Sequence, residues 1–217
     1  MPSPRRAAAP TRSGVLRWFV MGLVLVLLLA GAGLAWVWVG SDVVARGRAR
    51  EAMAAFSANP AAAPVNASEA TGRSGDVLGI ITIPRLGLTW PIVVGTGHLD
   101  RGLGWAVDSS WPGSPGNAVV SGLRLTGGSP LRNVADLRVG DRVEVRLRGT
   151  SAAPKVLVYE VKVAGLTVDR DDAWVLDGVP GHPSAVPTES ILTVITSQDL
   201  LASKERSVAF AVLVDGA

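Results

Sequence analysis

The chain has 217 residues, 48% of them apolar, with 21 basic and 18 acidic side chains for a net charge of +3. Arg5, Arg6, Arg12 and Arg17 supply +4 before the first acidic residue, so everything beyond residue 17 sums to −1 and offers no basic surface for nucleic acid. There is no cysteine, which excludes disulfides, thiolate metal sites and a thiolate nucleophile. The two histidines, His98 and His182, lack the spacing of zinc ligands, and no glycine-rich phosphate loop occurs, so neither metal nor cofactor is implied.

In chain order, the first feature is a run of 23 uncharged residues from Trp18 to Gly40. As a helix rising 1.5 Å per residue, such a run spans a hydrocarbon core of about 30 Å. Trp18 near one end and Trp36 and Trp38 near the other suit the headgroup zones. The arginines of residues 1–17 predict a cytoplasmic N-terminus, with the rest of the chain outside. The run exceeds the 7–15 residues of a signal-peptide core, which favours an uncleaved anchor. Residues 41–56 either extend this helix or lie on the membrane surface. Residues 57–75, rich in Ala, Pro, Ser and Asn, read as a spacer, so that 41–75 forms the linker to a domain over 76–217.

From Asp76 the pattern changes to short β-branched runs between Gly and Pro. Leu78–Ile83, Trp90–Val94, Asn117–Ser121 and Ile191–Ile195 are strand-length. Arg142–Arg148 alternates, with Val143, Val145 and Leu147 on one face and charges on the other, the mark of a half-buried strand. Lys155–Val168 reads as one bent strand or two, broken at Gly165. Ser207–Val214 closes the domain, with Val208, Phe210, Val212 and Val214 on one side. His98–Gly104 and Pro130–Leu137 are candidate short helices. Seven or eight strands with scarce helix predict an all-β closed barrel or a sandwich.

Three stretches carry a resemblance: GDVLGIITIPRLGLTWPIVVGT (75–96), WPGSPGNAVVSGLR (111–124), and ILTVITS (191–197) followed by SKERSVAFAVLV (203–214). With LRVGDRVEV (137–145) and DDAWVLDGVPG (171–181) between them, residues 75–214 resemble the sortase family, class E in particular. The resemblance implies an eight-stranded β-barrel with short helices, a groove for a cell-wall sorting signal, and a site of one His, one Cys and one Arg. The Gly-His-Arg element of the family reads Gly122-Leu123-Arg124 here, which puts Leu123 at the His position. Ser197 stands at the Cys position, after Thr196, and Arg206 alone keeps its type.

A serine hydroxyl needs an adjacent base to attack an acyl carbon, and Leu123 has no titratable atom. Loss of general acid–base assistance costs about 10²–10⁴-fold by itself. The expectation is therefore a catalytically inactive sortase-like module that binds a sorting-signal peptide, an active sortase or another envelope protein. The alternative is an enzyme using Ser197 with a base from elsewhere, for which His182 in the Pro180–Pro187 loop and His98 are the candidates. Arg206, Thr196, Ser197 and His182 are the candidate groove residues. Asp108 and Asp199 read as loop residues, Asp169, Asp171 and Asp172 as a turn, and Trp111 and Trp174 as core or rim anchors.

Overall fold

In the computed structural model, structure is described for residues 12–58, 68, 70, 73–147, 155–197 and 204–216. The chain divides into two compact units, Met1–Gly40 and Ser41–Ala217. Helix α1 runs over Arg12–Ala58. Within the first unit it holds Leu16–Gly33, a segment long and apolar enough to cross a membrane and wholly unburied. The side chains of Trp36 and Trp38 lie outside the described residues, as does most of the spacer read over 57–75.

In the second unit α1 continues through the segment for which the sequence left helix or membrane surface open. It buries Ala45, Ala49 and Phe56 there. Eight strands follow: β1 (Val77–Ile83), β2 (Leu88–Val94), β3 (Leu103–Trp105), β4 (Gly116–Gly122), β5 (Arg142–Leu147), β6 (Lys155–Asp169), β7 (Ser190–Thr196) and β8 (Glu205–Gly216). They close into a barrel in the order β1-β2-β3-β4-β7-β8-β6-β5. Closure removes the free edges that an open sheet would leave unpaired. Of the two architectures consistent with the strand pattern, the chain adopts the barrel.

Two local expectations differ from what forms. His98–Gly104 is not helical: a turn at Leu99–Asp100 leads into β3, which pairs parallel to β2 through Ile92 and Leu103. The reason is close backbone approach, since a Cβ on Gly104 would lie 2.6 Å from the Gly95 carbonyl oxygen. Over Pro130–Leu137 only Val134–Asp136 forms a single 3-10 turn. A further 3-10 turn, Ala173–Leu176, has no counterpart in the periodicity. β6 is one strand, with register breaks between Val161 and Leu166, beside Gly165.

The interior is filled by Leu78, Ile81, Ile92, Val94, Trp105, Val145, Leu157, Tyr159 and Leu192, all essentially without exposure. Full burial of such aliphatic side chains contributes about 1.5–3 kcal/mol each. β8 sends its small side chains, Ala209 and Ala211, into this interior, while Val208 and Phe210 face outward. There they form a second cluster with Val119, Val168, Val175 and Ile195, under the segment between β6 and β7. Ala211 lies opposite Val161 of β6 and Leu192 of β7, and Ala209 opposite Val194, all part of the same buried interior.

Tyr159, the single tyrosine, is the buried polar link of the core. Its hydroxyl accepts the Gly113 N–H at 2.8 Å and lies 3.3 Å from the Ser190 hydroxyl. Burial raises its pKa above the ordinary value of 10.0, against the lowering effect of those two hydrogen bonds. The neutral phenol is thus the form the fold stabilises. Its contribution is complete below the ordinary tyrosine pKa and is lost as pH rises through the elevated one. Two outcomes follow: Tyr159→Phe lowers unfolding free energy by about 1–2 kcal/mol in denaturant titration, and phenolate absorbance develops at higher pH in the folded chain than in the unfolded one.

Candidate active site

The residues singled out in the sequence meet at one end of three neighbouring strands. β4 and β7 run parallel and in register from Gly116↔Ser190 to Gly122↔Thr196. Both stop at that last pair, so Leu123 and Ser197 leave the sheet side by side. The Ser197 N–H donates to the Gly122 carbonyl at 2.7 Å, which ties the serine to the residue preceding Leu123. β8 lies antiparallel to β7, and the buried Thr196 hydroxyl accepts the Ser207 N–H at 2.9 Å. Arg206, one residue earlier and paired with Val168 of β6, therefore stands at the same rim.

Their environments differ. Leu123 is half-buried; its carbonyl accepts the Leu131 N–H at 3.2 Å, and its side chain lies against Gly127. Ser197 is half-buried, and its hydroxyl makes no hydrogen bond among the described residues. The Thr196 hydroxyl accepts one bond from the strand and keeps its own O–H to donate. Arg206 makes no ion pair among the described residues, and its Nε is buried without a hydrogen-bond partner. An unpaired buried donor costs about 1–3 kcal/mol, a deficit that an incoming carbonyl or carboxylate oxygen would offset. Asp199 lies outside the described residues.

Among the described residues, neither histidine is joined to this rim by a hydrogen bond. His182 is exposed, in a turn closed by the Ala185 N–H to its own carbonyl. That turn is held by the Gly181 N–H bonded to the carbonyl of Trp174. The Trp174 ring lies 6.1 Å from Phe210, which pairs with Thr193, four residues before Ser197 or roughly 13 Å along the strand. His98 packs over Gly75 beside Arg101, in a pocket of about 760 Å³ that Arg48, Glu51, Asp76 and Asp100 also line. Leu123, Ser197 and Arg206 are not among its lining residues. Asp108 is exposed in the β3–β4 connection. The Asp169–Asp172 cluster is a turn: Asp172 accepts the Asp169 N–H at 2.9 Å, and Asp171 faces Arg170. Trp111 stacks edge-on against Trp105 at 5.4 Å, and Trp174 lies over the outer cluster, so both serve as anchors.

One residue that fixes the site had no distinct signal beyond its place in the 111–124 stretch. Asn117, fully buried on β4, donates through Nδ2 to the carbonyls of Val175 and Asp177, and its Oδ1 accepts the Thr193 hydroxyl at 2.6 Å. It joins β4 to β7 and ties down the segment that covers the outer cluster. Asn117→Ala leaves two buried carbonyls and a hydroxyl unpaired, and is expected to cost about 2–4 kcal/mol in chemical denaturation.

Comparison with known proteins agrees with this geometry. The family model described as the sortase domain matches residues 81–214. The chain is 32% identical over 105 residues to sortase D of Bacillus subtilis (strain 168), an alignment that spans 48% of this chain and 48% of that relative. Among solved structures, sortase E from Streptomyces avermitilis is similar with a TM-score of 0.58 at 28% identity, covering 66% of this chain and 91% of that one. Sortase E1 from Streptomyces coelicolor, solved with a tripeptide in the active site, shares the fold with a TM-score of 0.56 at 24% identity, over 68% and 91% of the two chains. A barrel in which the ends of β4, β7 and β8 converge, and a family match over most of that barrel, lead to one conclusion: the chain belongs to the sortase family.

Proposed function

We propose that this protein is a class E-type sortase homologue, anchored in the membrane by residues 18–40 with its barrel domain outside the cytoplasm, that binds a partner without performing transpeptidation. In this reading Leu123 occupies the position of the family's histidine, Ser197 that of its cysteine and Arg206 that of its arginine. The observation that carries it is the pairing of an alcohol with a hydrocarbon at the rim, in a chain with no cysteine at all. A serine enzyme would need a base in hydrogen-bond reach, and among the described residues Ser197 has none. The role that remains is recognition. Arg206, with a donor buried and unpaired, suits the carbonyl or carboxylate oxygens of a peptide, and a sorting-signal peptide is the ligand class the family membership suggests. The module would then be accessory to cell-wall protein sorting, alongside an active sortase or another envelope protein.

The test is peptide turnover by the full chain in detergent micelles, against sorting-signal peptides. Wild type and Ser197→Ala are both expected to show none; turnover by wild type that Ser197→Ala abolishes would establish a serine enzyme instead. Peptide binding is expected to persist in Ser197→Ala and to weaken about 10–100-fold in Arg206→Ala, the loss of one charge-assisted hydrogen bond. The double change Leu123→His with Ser197→Cys is expected to restore measurable transpeptidation if the groove still accepts peptide.

A further inference from the structure

The loops that frame the rim at Leu123 are held from outside by the second half of α1. Asp42 accepts the Gly128 N–H at 3.0 Å and the Ser129 hydroxyl at 3.4 Å. Its carboxylate also faces Arg46 at 3.5 Å and Arg132 at 3.7 Å. Further along the helix Arg48 pairs with Asp100 at 2.7 Å, in the loop between β2 and β3. The two attachments are unequal. Arg48 and Asp100 are 53% and 54% exposed, and a pair so solvated contributes little. The Asp42 side chain is only 14% exposed and bonds a backbone donor, the stronger arrangement.

What Asp42 holds packs against the site. Gly127 and Gly128 both have left-handed backbones, with φ of 60° and 83°. A Cβ on Gly127 would lie 2.6 Å from the Leu123 side chain, and its next neighbours are in Leu99 and Asp100. A Cβ on Gly128 would lie 2.8 Å from the Trp90 ring and 3.6 Å from Ala45. A side chain at Gly127 would thus collide with Leu123 and one at Gly128 with Trp90, so the dipeptide sits where only glycine fits, beside Leu123 and with Ala45 of the helix nearby. Leu123 in turn follows the carbonyl that holds Ser197.

We propose that Asp42 is a positioning residue for this rim: by holding Gly128 and Ser129 it fixes where Leu123 lies beside Ser197, and so couples the helix segment 42–58 to the candidate site. The proposal stands whether the site binds or catalyses, because it concerns only the placement of the loop.

Hydrogen exchange on the full chain in detergent micelles tests it. Asp42→Ala is expected to accelerate exchange over residues 124–132 by about tenfold while β6 and β8 keep their protection, and Arg48→Gln is expected to leave the segment unchanged. A second readout uses Ser197→Cys, which creates the chain's one thiol. Adding Asp42→Ala is expected to change its maleimide labelling rate by about threefold or more, and Asp42→Glu, which keeps the carboxylate, to change it less. Unaltered exchange over 124–132, or a labelling rate indifferent to position 42, overturns the proposal. If Asp42→Ala unfolds the domain, Asp42→Asn takes its place: it keeps an acceptor oxygen for Gly128 but loses the charge, so a local rise of about twofold is expected, and no rise also overturns the proposal.

Discussion

Seven successive pairings, from Gly116↔Ser190 to Gly122↔Thr196, hold β4 and β7 side by side and pointing the same way. Parallel neighbours cannot be joined by a short turn. Here β5, β6 and the segment that crosses the outer face all intervene between the two strands. The site exists only at the end of this pairing, because Leu123 and Ser197 are adjacent solely through it. Much else serves to keep that pairing in register. Asn117 and Thr193 bond across it at 2.6 Å, Tyr159 links Ser190 at its start to Gly113, and β8 locks its far end through Thr196. A one-residue slip would turn every interior side chain of β7 outward.

The same constraint explains the distribution of polar groups. Within the β4–β7 layer the buried side chains that can donate or accept are Asn117, Ser121, Ser190, Thr193 and Thr196, and each is hydrogen-bonded to strand or loop. At the rim that economy stops: the Arg206 Nε is buried and unmatched. Fully satisfied polar groups specify a single register, whereas an unsatisfied one carries an uncompensated desolvation cost. Trp90 Nε1, on β2, is the other buried side-chain donor without a partner among the described residues.

Much of this was legible from the residues. The alternation of Val143, Val145 and Leu147 gave β5 directly, and the β-branched runs located β1, β2, β4 and β7 within a residue or two. The rim residues were identified through motif likeness, and the register then brought them together. What was hidden depended on tertiary contact. β3 is three residues with two glycines next to it or within it, and has no period to read. The inward face of β8 is its alanine side, Ala209 and Ala211, while the larger Val208 and Phe210 face outward, a choice local hydrophobicity does not predict. Residues 42–58 carry charges at Asp42, Arg46, Arg48 and Arg50, which resemble a solvated spacer. Only the acceptor geometry at Gly128 shows that one of them is a structural bond.

That docked helix has a practical corollary for handling the protein. A fragment begun at Asp76, the boundary that strand patterning suggests, would strip away Ala45, Ala49 and Phe56 and uncover the faces on which they are buried. It would leave the Trp90 and Gly127–Gly128 surface beside Ala45 without that neighbour. Such a fragment would gain sticky apolar surface and tend to self-associate, so solubility is better served by keeping the chain from Ser41 onward.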